Sequence, residues 1–375
     1  MLNQKMGGNW YDNCDDMVRN EVSKIKKYVP GKSMDEVKKE YDLDRVIKLA
    51  SNENPIGVSE KVKERINKVA ANINRYPDMD SRGLKDELLE KLDINSDMIA
   101  FGNGSDGLLK VIAEVFLKKE DQVIISYPSF VEYKFVSQLM GSQLIRVWMN
   151  DYIQNIEGII NSITEDTKLI FLTNPHNPSG TIIKRKDLQV LLDNLPEDLI
   201  VVLDEAYYEY VSDEEYPDGL DYIREDYPVI VLRTFSKAYG LAGLRLGYAL
   251  ARPELIDYIM RARDPFNVNK VAENAGIAAL NDKEYMKKTL ENNKKGKEYL
   301  YNELSKIGLK YVPTEANFIL VNIKEHDSME LFKKLQSSGI IIRPGKLLGY
   351  QHHIRVSIGT TEENEIFIKT LKKYI

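Results

Sequence analysis

Between about residues 98 and 251 the sequence alternates between two periods. Short apolar runs, many of them β-branched, fall at Ile99–Phe101, Gln122–Ser126, Gln143–Val147, Leu169–Thr173, Leu199–Leu203, Val229–Leu232 and Leu246–Ala251. Segments with helical spacing lie between them, over Leu108–Phe116, up to about Met140, over Gly158–Ser162 and over Lys186–Asn194. A run that is apolar throughout, rather than at every second position, is a strand covered on both faces. Strands that alternate with helices in this way form a mostly parallel sheet between helical layers. The spacing therefore predicts an α/β fold with a mostly parallel central sheet in a large domain. Beyond a long charged amphipathic helix over Glu284–Lys306, strands at Phe318–Val321, Ile340–Arg343 and Ile354–Ser357 predict a smaller α+β domain.

In an open sheet of this kind ligands collect beyond the carboxyl ends of the strands. The residues at those ends are chemically specific. Val229–Leu232 runs into Arg233-Thr234-Phe235-Ser236-Lys237, then a glycine-rich turn over Gly240–Gly243, then Arg245. A lysine at a buried strand end is partly withdrawn from water, is cheaper to deprotonate, and can attack a carbonyl. On its own it reads equally well as a solvated loop lysine. Ser236 and Arg245 beside it are what a phosphate group needs, a hydroxyl and a fixed fork of charged donors. Lysine plus phosphate binder is the pairing expected for a Schiff base to pyridoxal 5′-phosphate.

Other strand ends add to this. Gly102–Gly107 puts small residues at a helix N-terminus, where free N–H groups attract a phosphate, and Asp106 there serves equally as a cap. Tyr127 follows a strand and offers a flat face for a pyridine ring or for the core. Asn177 sits in Asn174-Pro175-His176-Asn177-Pro178-Ser179-Gly180, a doubly proline-stiffened loop that holds an amide rigidly or simply makes a turn. Asp204 ends a very apolar strand, where a carboxylate must find a partner, either a protonated ring nitrogen or the helix that follows. Tyr207, three residues on, reaches the same region. His176 reads as structural, and the four histidines show no metal-ligand spacing, so no metal is expected.

Taken together, Asn177 in its Asn-Pro loop, Asp204 and Tyr207 in Asp-Glu-Ala-Tyr, and Lys237 in Ser-Lys-Ala-Tyr-Gly-Leu-Ala-Gly-Leu-Arg-Leu-Gly resemble the fold-type I, class I and II aminotransferases that use pyridoxal 5′-phosphate. Further segments resemble the branch of that family acting on histidinol phosphate. They are Tyr28-Val29-Pro30-Gly31-Lys32, Leu49–Pro55, Arg75-Tyr76-Pro77-Asp78, Tyr127–Phe130, Pro265–Asn269 and Ile354–Gly359. The resemblance runs from about residue 20 to the end.

It implies that Lys237 carries the cofactor and shuttles a proton, and that Asp204 holds the ring nitrogen protonated. Asn177 and Tyr207 bond the phenolic oxygen, and Tyr127 stacks on the ring. Ser105, Asp106, Ser236 and Arg245 hold the cofactor phosphate, and Tyr76 reaches it from the second subunit of a homodimer. Arg355 binds the carboxylate or phosphate of a small-molecule amino donor, and Asn54 and Ile56 lie near that substrate. Ile56 departs from the family, which often has an aromatic residue there. Arg343, at a strand end, either joins Arg355 in gripping the substrate or pairs with a surface acid. The expected reaction passes an amino group from histidinol phosphate to 2-oxoglutarate, as in histidine biosynthesis. The alternatives are an aminotransferase for aromatic or other amino acids and a decarboxylase of the threonine-phosphate type. The expected division is an N-terminal arm contributing to the small domain over 1–55, a large cofactor-binding domain over 56–265 and a small domain over 266–375.

Composition narrows the setting. The 375 residues carry 52 basic and 58 acidic side chains, for a net charge of −6 without a block of either sign, which argues against a nucleic-acid partner. No apolar run reaches the ~20 residues that cross a membrane. The first residues are polar and carry acids, unlike a signal or transit peptide. A single cysteine, Cys14, excludes an internal disulfide and suits a reducing compartment, so the cytoplasm is expected.

Overall fold

The computed structural model describes residues 17–27 and 31–375; Cys14, the polar start of the chain and Tyr28–Pro30 lie outside the described residues. Seven strands form the central sheet: β2 (Ile99–Asn103), β3 (Gln122–Tyr127), β4 (Gln143–Trp148), β5 (Thr167–Thr173), β6 (Ile200–Asp204), β7 (Val229–Thr234) and β8 (Leu246–Leu250). Their order is β2-β8-β7-β6-β5-β3-β4, and only β8 runs against the others. Continuous apolarity has the physical cause expected of it. On β7, Val229 and Val231 enter the core on one face of the sheet, while Ile230 and Leu232 enter the core on the other. On β5, Ile170 and Leu172 face one side and Leu169 and Phe171 the other.

A four-stranded antiparallel sheet, ordered β12-β13-β10-β9, lies in the C-terminal region: β9 (Lys310–Val312), β10 (Phe318–Asn322), β12 (Arg343–Pro344) and β13 (His353–Ser357). Its core includes Leu300 and Leu304 of the helix Lys283–Lys306, and Phe367, Ile368 and Leu371 of the helix Thr361–Leu371. A short parallel pair joins β1 (Ile47–Lys48) to β11 (Ile340–Ile341), so the segment before the large sheet packs with the chain's far end. Among the described residues no helix is long and apolar enough to cross a membrane.

Local structure departs from the simple pattern at several places. The run Ile340–Arg343 is not one strand. Ile340 and Ile341 pair with β1, and Arg343 and Pro344 pair with β13, with Ile342 buried between the two ladders. After β8 come two helices, Pro253–Ala262 and Lys270–Leu280, separated by a bend that contains Asp264-Pro265 and Phe266 at φ 55°. Ser59 precedes the helix Glu60–Ala70 but makes no side-chain cap; its hydroxyl bonds Asp282 instead, tying that helix to the start of the long C-terminal one.

Candidate active site

A cavity of about 370 Å³ opens beyond the carboxyl ends of β5, β6 and β7, as the parallel sheet requires. Ser105, Asp106, Asn177, Asp204, Tyr207, Ser236, Lys237, Arg245, Arg343 and Arg355 all line it. Elements far apart in sequence thus bring most of the predicted residues to one place.

Asp204 forms the floor. Its carboxylate is 3% exposed, accepting a hydrogen bond from Tyr133 Oη at 2.9 Å and one from the backbone N–H of Ala206 at 3.2 Å. Tyr133 is itself fully buried, stacks on Phe171 and bonds Thr173 at 2.6 Å. Burial pushes the Asp204 carboxyl up to about 6, and the Tyr133 bond works against that shift. A buried carboxylate with one side chain donating to it, at the edge of a cavity, is built for a cationic or N–H partner.

Lys237 Nζ donates to the carbonyl of Ser51 at 3.1 Å and lies 5.8 Å from the centre of the Tyr207 ring. Burial, with the positive charge of Arg355 adding to it, lowers its ammonium to about 8. Near neutral pH a useful fraction is therefore free amine. Tyr207 Oη accepts from Asn52 Nδ2 at 2.9 Å and from Asn177 Nδ2 at 3.2 Å. Burial raises the phenol of Tyr207 and Arg355 pulls it back.

At the other end lies an anion cradle. The helix Gly104–Phe116 starts here, with Ser105 and Asp106 in its first turn. Arg245, in the left-handed region at φ 56°, bonds Asp106 at 2.9 Å and the Ser236 hydroxyl at 3.5 Å. Two glycines make the approach feasible. A Cβ on Gly247 would stand 2.7 Å from the Ser105 nitrogen, and one on Gly104 would stand 2.7 Å from the Arg245 guanidinium. First-turn N–H groups, a hydroxyl and an arginine converge as a phosphate requires. Asp106 does not cap the helix, since Asn103 holds the N-cap position.

Above the cavity stand two arginines. Arg343 and Arg355 face each other across the β12–β13 ladder. Arg355 Nη1 donates to Asn177 Oδ1 at 2.6 Å and Nη2 to the carbonyl of Ala50 at 2.8 Å, while its guanidinium lies over Phe318. Arg343 forms no ion pair among the described residues. Its reading as the partner of a surface acid is not met.

Four predicted residues lie elsewhere. Tyr127 does not line the cavity: its ring meets Trp148 edge-on at 5.0 Å and carries Arg146 over its face. Phe130, three residues on, lines the cavity instead, because Pro128 and Ser129 carry the chain from the strand end to the helix Val131–Met140. Asn54 is turned to the Ala238 carbonyl and the Thr289 hydroxyl, where it braces the lysine loop, and Ile56 is partly exposed outside the cavity. Tyr76 is 79% exposed, stacked on Phe266 at 4.7 Å in a separate groove. Sequence reasoning missed Tyr133, Thr173, Phe130 and Asn52. The Tyr133 signal was weak, an unremarkable tyrosine on a helix whose partner Asp204 is distant in sequence.

The residues present fit pyridoxal 5′-phosphate: a buried acid for a ring nitrogen, two amides around a phenol for an oxyanion, a low-pKa amine, and a phosphate cradle cleared by glycine.

A family model described as aminotransferase class I and II matches residues 44–371. The histidinol-phosphate aminotransferase of Moorella thermoacetica is 44% identical over 358 residues, covering 95% of this chain and 92% of its own length. That of Caldicellulosiruptor saccharolyticus is 43% identical, covering 96% of this chain and 100% of its own. The crystal structure of histidinol-phosphate aminotransferase from Sinorhizobium meliloti in complex with pyridoxal 5′-phosphate superposes with a TM-score of 0.86 at 26% identity, covering 96% of this chain and 98% of that one. With the strand-end lysine, the buried aspartate and the phosphate cradle in one cavity, this chain belongs to the class I and II aminotransferase family.

Proposed function

We propose that this aminotransferase moves an amino group between histidinol phosphate and 2-oxoglutarate, using pyridoxal 5′-phosphate in the cavity described above. The observation that carries the substrate is the cross-strand pair Arg343 and Arg355. One site must accept a phosphate-bearing donor without a carboxylate, and glutamate with two carboxylates. Guanidinium forks pair with both kinds of oxyanion. The names of the two relatives at 43–44% identity support the same reading.

Asp204, braced by Tyr133, would pair with the cofactor's ring nitrogen, and Tyr207 with Asn177 would bond its phenolic oxygen. The Ser105 N–H, the Ser236 hydroxyl and Arg245 would hold its phosphate, with Asp106 keeping the Arg245 fork aimed. Phe130, rather than Tyr127, would cover the ring. When bound, the group supplies a carbonyl that condenses with amines and a ring that draws electrons from the neighbouring carbon. Lys237 would anchor it and, once displaced by the substrate amine, hold and return the migrating proton at Nζ. Its lowered pKa suits both tasks.

A homodimer is part of this reading. Tyr76 is too exposed for a core role and lies outside its own chain's cavity, in a groove with the exposed Ile73. It would reach the partner's phosphate cradle.

The test is the ratio of specificity constants for histidinol phosphate and phenylalanine. A ratio well above one is expected. A preference for phenylalanine would replace this reading with an aromatic aminotransferase, and release of carbon dioxide from phosphothreonine would replace it with a decarboxylase. Dimerisation is checked by sedimentation, where a fully active monomer would exclude shared sites.

A further inference from the structure

Two chains of contact leave the Asn177 loop, and both end on strand β13. One is direct, from Asn177 Oδ1 to Arg355. The other runs through Tyr152, a residue that does not line the cavity. Thr181 Oγ1, just past the loop, donates to the Tyr152 carbonyl at 2.7 Å. Tyr152 Oη and His353 Nε2 share a hydrogen bond of 2.9 Å. His353 and Arg355 are two positions apart on β13, so their side chains leave the same face of the strand. The contacts close into a ring: Asn177 loop, Tyr152, His353, Arg355 and back to Asn177.

Tyr152 is aimed by unusual backbone. Asn150 and Ile153 exchange both backbone hydrogen bonds at 2.8 Å, closing a two-residue turn in which Asp151 has φ 44° and Tyr152 φ 68°. Such turns favour Asn-Gly or Asp-Gly, and a bulky residue at positive φ is an outlier. Outliers persist where surrounding contacts over-determine them, and they cluster at functional sites. Here the contacts are the rings of Tyr350 and His353, each 5.6 Å from that of Tyr152 and 5.4 Å from each other. The turn belongs to the large sheet's side and both ring partners to the small sheet's side. Gly349 closes the same seam, seated so that a Cβ would stand 2.5 Å from Pro128. The segment it belongs to joins Arg343 to His353 and also carries Leu348 into the cavity lining. His353 is buried, which holds its imidazole down to about 4, so it sits in the seam as a neutral ring.

We propose that Tyr152 is a positioning residue that fastens β13 across the seam and so sets Arg355 and Arg343 against the cavity; this rests on the reading of Arg355 as the group that grips the substrate's anion. Tyr152→Phe isolates the point. It keeps the ring contacts and the carbonyl that accepts from Thr181, and removes only the bond to His353. In the half-reaction with glutamate, the apparent dissociation constant should rise roughly 5-fold while the limiting rate stays within ~2-fold of wild type. Amide hydrogen exchange across residues 343–357 of the cofactor-free protein should become faster, a readout independent of turnover. An unchanged dissociation constant, or a rate loss larger than the affinity loss, overturns the proposal, and so does unaltered exchange in that segment. Glutamate keeps the test separate from the substrate reading. If wild type fails to use histidinol phosphate, that reading falls while this comparison still decides the role of Tyr152.

Discussion

The floor and the roof of the cavity are built differently. The floor stands on central strands of a sheet buried on both faces, and its groups are desolvated: Asp204 is pushed up to about 6 and Lys237 down to about 8 by burial above all. The roof stands on two short strands of a separate antiparallel sheet, where Arg343 and Arg355 lie opposite each other and line the cavity. The floor spends protein stability on reactivity. In the proposed function the roof selects what enters. A desolvated floor suits chemistry common to the family, whereas a roof on a small ladder can change register or side chain without disturbing the main core.

The largest effect is expected on the floor, at Lys237. Lys237→Ala should lower transamination by roughly 10⁴-fold or more, since both the anchor and the proton carrier are lost. Rapid-quench turnover with unchanged rate would end the assignment. Next comes Asp204→Asn, which should separate reactivity from stability. Activity should fall roughly 10²-fold or more, because a neutral amide holds a protonated ring poorly. The cofactor-free protein should instead gain stability at pH 7. The folded carboxyl titrates near 6, above its unfolded value of 3.8. Native protein therefore binds the proton more tightly, and stability is lost as pH rises from about 4 to about 6. Removing the charge should restore up to ~3 kcal/mol at pH 7 and nothing below pH 4. Denaturant melts at the two pH values check this, and equal shifts at both would contradict it.

The roof predictions are smaller. Arg355→Ala should impair every anionic substrate. Arg343→Ala should weaken the phosphorylated donor selectively, by ~2 kcal/mol or a factor of ~30 in the specificity ratio. An unmoved ratio would remove Arg343 from substrate selection. Smallest is Tyr133→Phe, which takes one donor from Asp204. A loss of roughly 5-fold in turnover is expected, together with a further rise of the Asp204 pKa, read from an upward shift in the acid limb of the pH–rate profile. An acid limb that stays in place would mean that Tyr133 merely fills space.

Legibility followed locality. Lys237, Ser236 and Arg245 share one strand end and turn, and Asp204 with Tyr207 share another, so their place at one cavity followed from short segments, while their roles came from the family resemblance. Phe130 was missed in favour of Tyr127 because strand end and helix start differ by only three residues, and the direction of each ring depends on what packs beside it. Ser59 had the residue type and position of a cap, yet Asp282, far along the chain, offered its hydroxyl a better partner.

What the sequence by itself determined is the two-sided sheet and which polar side chains stand at its strand ends, because burial periodicity and residue type are properties of short segments. What only the tertiary structure decided is pairing at a distance: Tyr133 under Asp204, Arg343 opposite Arg355, and the Tyr152–His353 bond across the seam. Such contacts depend on register and on the packing of separate elements, where a shift of one residue turns a side chain to the other face.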